Sequence, residues 1–170
     1  MDIKIRSDLR VGDIGYITYL HGILYAREYN YDHTFEAYVA EPLSQFARRS
    51  NPRERIWIVE NNSEVLGSIA ICESSATEAQ LRWFLLSPSL RGEGIGKKLI
   101  DLALEFSRSQ HYESVSLWTV KGLEAAKALY LSFGFSLEQD IEHEVWGALH
   151  TEQKYTKSLS PAHNKAIEIA

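Results

Sequence analysis

A glycine-rich segment at residues 91–97, Arg-Gly-Glu-Gly-Ile-Gly-Lys, follows a nearly continuous apolar run and precedes an amphipathic stretch. The apolar run, at 80–86, is typical of a central strand that is covered on both faces. After the loop, apolar residues recur at the spacing of one helix face: Ile95, Leu99, Leu102, Ala103 and Phe106. This order favours a layered fold of helices and strands, with the loop at the end of a central strand.

The loop combines three features that suit a phosphate group. Its glycines can adopt positive φ and let a ligand come close to the backbone. The first N–H groups of the following helix have no partner within the helix and lie at the positive end of its dipole. Arg91 and Lys97 add positive charge. An ordinary tight turn is the alternative interpretation.

Two common phosphate loops do not fit this spacing. In a Walker loop, Arg91 would stand at the first glycine, and Lys98 would stand where a serine or threonine is needed. In the dinucleotide fingerprint, Lys97 occupies the place of the third glycine. What remains is Arg-x-x-Gly-x-Gly, a pattern that disfavours a nucleotide-binding switch.

Helical and strand patterns alternate along the rest of the chain. Residues 1–6 predict a first strand, and an amphipathic helix follows over about 11–28. Pro42 should kink or break a second helix, whose apolar side is formed by Phe35, Val39, Leu43 and Phe46. A last helix at 123–133 ends at Gly134, which suits a left-handed cap. Further strands are predicted at 55–59, 65–71, 115–119, 135–142 and 150–157.

These elements predict an α/β (α+β) fold with a mixed sheet. No linker rich in proline, glycine and serine divides the 170-residue chain, and no internal repeat is present. We therefore expect one domain over 1–158 and a flexible C-terminal tail over 159–170.

Composition argues against several classes of function. Eighteen basic and 23 acidic residues give a formal charge of −5, whereas a nucleic-acid-binding protein usually carries a basic surplus. The single cysteine, Cys72, excludes an internal disulfide framework and a cysteine-based zinc site, and no metal is implied. No stretch approaches the roughly 20 apolar residues of a membrane span, and the start lacks the apolar core of a signal peptide. The cytoplasm is therefore the expected compartment.

Two motifs together resemble those of the GNAT (Gcn5-related) N-acetyltransferase family. Arg91-x-x-Gly94-x-Gly96, preceded by Leu-Leu-Ser-Pro at 85–88, resembles the family's acyl-CoA pyrophosphate loop. The run at 126–135, Ala-x-x-Leu-Tyr-x-x-x-Gly-Phe, is similar to its C-terminal motif. The first helix also resembles a subgroup that includes domains fused behind MarR-type DNA-binding domains, through Gly12-Asp13, His21-Gly22, Leu24-Tyr25 and Glu28-Tyr29.

The resemblance implies the family's fold, a largely antiparallel mixed sheet with about four helices, and acetyl-CoA as the acetyl donor. Backbone N–H groups of the loop would bind the pyrophosphate; the loop consists of Arg91, Gly92, Glu93, Gly94, Ile95, Gly96 and Lys97. Backbone groups at Phe84, Leu85 and Leu86 would bind the pantetheine arm where the central strand splays from its neighbour at 116–118. Tyr130 matches the general acid that protonates the departing thiolate and would contact the donor.

The general base is less well marked. Many members of the family carry a glutamate where this chain has Gln80, which cannot accept a proton from the acceptor amine. Glu73, at the end of the preceding strand, and His21, on the first helix, are the candidate substitutes. His21, Tyr25, His143 and Trp146 are the candidates for acceptor binding, with solvated charge or core packing as the alternative for each.

The implied reaction is direct transfer of an acetyl group from acetyl-CoA to an amine. The acceptor is left open between a small molecule and a peptide or protein, and the family also allows a homodimer. Gln80 motivates an alternative, an acyl-CoA-binding sensor or interaction module with little or no catalysis.

Overall fold

Seven strands and four α-helices form the fold in the computed structural model, which describes residues 2–159. The strands are β1 Ile3–Arg6, β2 Arg55–Asn61, β3 Glu64–Glu73, β4 Glu78–Leu86, β5 Ser114–Val120, β6 Ser136–Val145 and β7 Ala148–Ser158. The helices are α1 Asp13–Tyr29, α2 Thr34–Arg48, α3 Ile95–Ser109 and α4 Glu124–Ser132. Apart from Leu159, the predicted tail lies outside the described residues.

All strands belong to one sheet of order β1-β2-β3-β4-β5-β7-β6. The pair β4–β5 is parallel, and the other five neighbouring pairs are antiparallel. This arrangement confirms the predicted fold class, a largely antiparallel mixed sheet flanked by four helices.

Both faces of the sheet carry a hydrophobic core. On one face, α3 and α4 cover alternate residues of the central strands, among them Ile69, Ile71 and Val115. On the other face, α1 and α2 cover the intervening residues, such as Ile58 and Ala70. Because both faces are buried, β2 and β3 are apolar almost without interruption.

Pro42 does not break the second helix. The helix runs unbroken through Pro42, because Val39, Leu43 and Phe46 anchor its apolar side in the core. An internal proline costs a helix about 3 kcal/mol, and packing of an amphipathic face can exceed that amount. The prediction of a break at Pro42 is therefore wrong, and a kink there stays a prediction.

A β-bulge in β4 reverses the strand's faces. On β3, Ser68 and Ala70 are two residues apart, whereas their partners on β4, Leu85 and Arg82, are three apart. The extra residue is accommodated at Trp83, whose φ is +47° and whose carbonyl accepts a hydrogen bond from Ser68 Oγ at 2.6 Å. As a result, Trp83 packs on the α1–α2 side of the sheet, although an unbroken strand would place it beside Leu81 on the α3 side.

Candidate active site

A cavity of about 600 Å³ opens where β4 and β5 stop pairing. The parallel ladder ends at the pair Gln80–Ser116, although β4 continues to Leu86 and β5 to Val120. The separated strand ends, α1, the glycine loop and the start of α4 form its walls. Phe84, Leu85 and Leu86 line the cavity. The sequence predicts that β4 is covered on both faces, and this does not hold at the C-terminal end of the strand. The volume lies within the range of small-molecule sites.

The glycine loop meets the cavity at the N-terminus of α3. Gly92 and Gly94 adopt φ values of +83° and +78°, and a Cβ at either position would meet no atom within 4 Å. Gly94 is the residue before α3, so the first amides of that helix lie without helical partners next to this open space. Gly96 and Lys97 also line the cavity, whereas Glu93 and Ile95 do not. The backbone here fits an anionic group such as a pyrophosphate.

Arg91 lines the cavity, but its charge is already paired. Its Nη1 and Nη2 donate to the two carboxylate oxygens of Glu28 at 3.0 and 2.8 Å, and its Nε donates to the carbonyl of Leu86 at 3.2 Å. The expectation that Arg91 supplies free positive charge to the loop therefore does not hold in this geometry. Lys97, the other cation of the loop, also lines the cavity, and no carboxylate of the described residues forms an ion pair with it.

Tyr130 lies on α4 with its ring in the core and borders the cavity. The ring is 6% exposed and packs near Phe84, Phe135 and Tyr155, with centroid distances of 6.3, 6.1 and 6.5 Å. Burial raises the pKa of its hydroxyl well above the usual value of 10. The phenol is therefore protonated at neutral pH and can donate a proton.

His21 and Tyr25 project from α1 into the same cavity. His21 Nδ1 lies 2.8 Å from the carbonyl oxygen of Ile17, which can only accept, so Nδ1 carries the proton and Nε2 keeps its lone pair. Burial lowers the pKa of His21 to about 4, and the ring is neutral at physiological pH. Tyr25 stacks on His21 with centroids 6.2 Å apart, and burial raises its pKa to about 12.

Trp146 lines the cavity beside Tyr31 and Phe35. It lies in the two-residue turn between β6 and β7, where Trp146 and Gly147 have φ values of +53° and +90°. Its ring stacks on Tyr31 with centroids 5.2 Å apart, and its carbonyl accepts a hydrogen bond from the Asp32 backbone at 3.0 Å. The hairpin tip is thereby attached to the connection between α1 and α2.

Two predicted site residues lie elsewhere. Glu73, at the far end of β3, accepts hydrogen bonds from Arg53 Nη1 at 2.6 Å and Asn51 Nδ2 at 2.7 Å and does not line the cavity. His143, on the edge strand β6, is one strand too far away, and it contacts the carboxylate of Glu152 instead. Glu73 as the base and His143 as a direct contact of the acceptor are therefore not supported by this geometry.

The structure adds four charged residues to the cavity that sequence reasoning missed: Glu28, Arg82, Glu124 and Glu152. The sequence does indicate Glu28 as a site residue, because it follows His21 and Tyr25 at helical spacing on the same face. It also indicates Arg82, which is the one charged residue within the apolar run at 80–86. It does not indicate Glu152, because many residues of β7 are polar.

The same fold is found in solved acetyltransferase structures. The acetyltransferase yncA of Salmonella typhimurium, solved with its cofactor acetyl-CoA and described as putative, superposes with a TM-score of 0.76. The match covers 96% of this chain and 97% of yncA at 15% identity, a level at which the likeness establishes the fold alone.

Sequence similarity to known acetyltransferases covers part of the chain. The model of the acetyltransferase (GNAT) family matches residues 20–135. The uncharacterized N-acetyltransferase YjgM of Escherichia coli K12 is 37% identical over 91 residues, which are 51% of this chain and 53% of YjgM. N-acetyltransferase 8B of Homo sapiens is 33% identical over 98 residues, 55% of this chain and 43% of its own. The chain spans about half the length of the curated relatives it matches.

A sheet that opens between two parallel strands beside a glycine-rich helix N-terminus is the architecture of the acetyltransferase fold. With the family model matched over more than half of its length, the chain belongs to the GNAT family of acetyltransferases. The family resemblance predicted from the loop and the Tyr130 motif is confirmed. Between residues 2 and 159, no helix combines the length and apolar character needed to cross a membrane.

Proposed function

We propose that this protein is an N-acetyltransferase that transfers the acetyl group of acetyl-CoA directly to an amine. One observation carries the proposal: the parallel ladder ends at Gln80–Ser116, and the glycine loop and Tyr130 border the cavity that results. The reaction uses a strand end with unpaired backbone groups, an anion-binding helix N-terminus and a protonated phenol.

The residues of the cavity would have the following roles. Amides of the loop and of the first turn of α3, with Lys97, would hold the pyrophosphate. The unpaired backbone of β4 at Phe84–Leu86 would bind the pantetheine amides, and an N–H of this strand would stabilise the oxyanion. As the amine nitrogen bonds to the acetyl carbon, the carbon–sulfur bond breaks and Tyr130 gives its proton to the thiolate.

The amine must lose a proton before it attacks. Three groups of the cavity can accept that proton: the Nε2 lone pair of His21 and the carboxylates of Glu124 and Glu152. The third carboxylate in the lining, that of Glu28, is bound by Arg91. Gln80 lines the cavity but is an amide, and so it serves neither as acid nor as base at neutral pH.

Three finer expectations belong to this proposal. The likeness to the subgroup fused to MarR-type regulators and a homodimer rest on the family resemblance, and a cytoplasmic location is an expectation from the sequence. The amine acceptor of this proposal is a small molecule or a peptide or protein amino group.

An acyl-CoA-binding module without turnover is the competing function. It is favoured by the amide at Gln80 and by the position of Glu73 outside the cavity. Acetyl-CoA binding without acetyl transfer to any amine of a broad panel, peptides included, would support the module and contradict the enzyme.

The first experiment is thermal stabilisation by acetyl-CoA beside CoA, longer acyl-CoAs, ATP and NAD. A ligand at about one hundred times its Kd adds about 2.7 kcal/mol to the free energy of unfolding, a readable shift. We expect stabilisation by acetyl-CoA and CoA and none by ATP or NAD.

A pair of glycine variants tests the loop itself. Gly94 and Gly12 each precede a helix with positive φ, +78° and +96°, but Gly12 lies at α1, outside the cavity. Gly94→Ala should lose the stabilisation by acetyl-CoA, and Gly12→Ala should keep it. Equal stabilisation of both variants would remove the loop from the site.

A further inference from the structure

Arg82 is a cation of the cavity, and no carboxylate of the described residues forms an ion pair with it. It projects from β4, is partly buried, and its guanidinium lies 4.9 Å from the centroid of the Trp83 ring. Arg91, the other arginine of the cavity, is held by both oxygens of Glu28. Within residues 2–159, Arg82 forms no such ion pair with any aspartate or glutamate. A guanidinium in this situation is suited to a two-point contact with a ligand carboxylate.

Glu152 supplies the opposite charge to the same part of the cavity. It lies on β7 opposite Val120, its side chain is 14% exposed, and it contacts His143 on the side away from the cavity. Burial raises the pKa of the Tyr38 hydroxyl, which Arg82 lowers and Glu152 raises further. Arg82, Glu152 and Tyr38 all line this one cavity.

Aromatic rings form the rest of this region. Tyr31 and Phe35 pack against Trp146 with centroid distances of 5.2 and 5.0 Å, and Tyr38 lies 5.1 Å from the same ring. A backbone hydrogen bond from Asp32 to the Trp146 carbonyl attaches the hairpin tip to this region. An acceptor that fits presents an apolar group to these rings.

We propose that the acceptor is a free amino acid with a large apolar or aromatic side chain, whose carboxylate binds Arg82 and whose amino group faces Glu152. The inference rests on the proposed function and deepens it by naming the substrate class. Arg82 acts here as a specificity-determining residue, and the aromatic wall receives the side chain.

The test compares acceptors that differ only at the carboxylate. Initial rates with acetyl-CoA are measured for L-phenylalanine and L-tryptophan, for their methyl esters, and for phenethylamine and tryptamine. The dipeptide phenylalanyl-glycine tests for a polypeptide acceptor. We expect kcat/KM for the free amino acids to exceed that of the esters and amines by about a hundredfold, as for other partly buried charge pairs.

Arg82→Gln provides the second readout. It should lower kcat/KM for the amino acids about a hundredfold and leave the amines nearly unchanged. Arg55→Gln is the matched control, because Arg55 also lies over an aromatic ring, 4.5 Å from the centroid of Phe106, but outside the cavity. Stabilisation by acetyl-CoA reports whether each variant is folded, and the comparison within the wild-type protein needs no variant.

The failures of the two proposals are distinguishable. Amines or esters acetylated as fast as the free amino acids would overturn the substrate class and leave the acetyltransferase standing. Preference for the dipeptide would do the same. Acetyl-CoA binding with no acetylation of any acceptor would overturn both the substrate class and the enzyme. An absence of CoA binding would overturn the proposed function at its first step.

Discussion

The carboxylate of Glu28 receives two hydrogen bonds from the guanidinium of Arg91 and so joins the last turn of α1 to the glycine loop. The two residues are 63 positions apart, and both line the cavity. A pyrophosphate bound at the loop would compete with Glu28 for this guanidinium. The pair therefore couples the position of α1 to the occupancy of the loop.

Glu28→Gln should tighten the binding of CoA several-fold at low ionic strength, because it frees Arg91 for the pyrophosphate. The free energy of unfolding should change by less than about 1 kcal/mol, since the two side chains are 46% and 26% exposed. Calorimetric titration at two salt concentrations measures the effect, which salt should diminish. Asp8→Asn, which breaks the exposed Arg10–Asp8 pair far from the cavity, is the control. Weaker CoA binding by Glu28→Gln would show that Glu28 positions Arg91 for the ligand instead.

Tyr130→Phe should lower kcat by about one hundredfold or more and leave the Kd for acetyl-CoA nearly unchanged, because it removes the proton donor and keeps the ring. Steady-state rates and calorimetric titration measure the two quantities. Tyr155→Phe is the matched control, a buried tyrosine whose ring centroid lies 6.5 Å from that of Tyr130. Unchanged turnover in Tyr130→Phe would exclude this residue as the general acid.

The neutral, buried His21 should make stability depend on pH. Burial lowers its pKa to about 4 from the ordinary value of 6.5, so between these values the unfolded chain binds a proton that the folded protein does not. The stabilising contribution is complete above pH 6.5 and is lost as the pH falls towards 4, by up to about 3 kcal/mol.

Denaturant unfolding between pH 7 and pH 4.5 measures this contribution. His21→Asn should flatten the loss of stability on acidification, whereas the exposed control His111→Asn should not. Identical pH slopes for wild type and His21→Asn would mean that His21 titrates normally in the folded protein.

Trp146→Ala should destabilise the protein by about 3–5 kcal/mol, because it removes a buried ring and leaves a cavity between the hairpin and α2. Trp146→Phe, which keeps a ring against Tyr31 and Phe35, should cost less than half of that. The midpoint of urea unfolding measures both. A loss below about 1 kcal/mol for Trp146→Ala would show that the hairpin tip does not depend on this contact.

Local chemistry explains which parts of the molecule the sequence predicts. Three features are encoded by residues close together in the sequence: the glycine spacing, the apolar face of α3 and the Tyr130 motif. From them the sequence predicts the loop, the layered fold and the family. The interruption expected at Pro42 fails because the propensity of one residue is outweighed by packing of the whole helix face.

The charged part of the site depends on contacts that no local pattern contains. Arg91 has the right chemistry for phosphate, and only the fold brings Glu28 to it. Glu73 meets the chemical requirement for a base, but the length of β3 carries it to the other end of the strand, where Arg53 binds it. Glu152 enters the cavity because β7 returns to lie beside β5, a long-range pairing that its polar neighbours in sequence do not indicate.

The bulge at Trp83 makes the residue count of β4 a determinant of the site. At the bulge, three residues of β4 lie opposite two of β3. Phe84 and Leu86 therefore lie on the opposite side of the sheet from the one that simple alternation would give them. Substitutions along this strand change what one side chain offers to the cavity. Insertion or deletion of one residue at the bulge would instead move every later side chain of β4 to the opposite side of the sheet. In an alignment or a designed library, the length of β4 is therefore the quantity to hold constant, ahead of the identity of most of its residues.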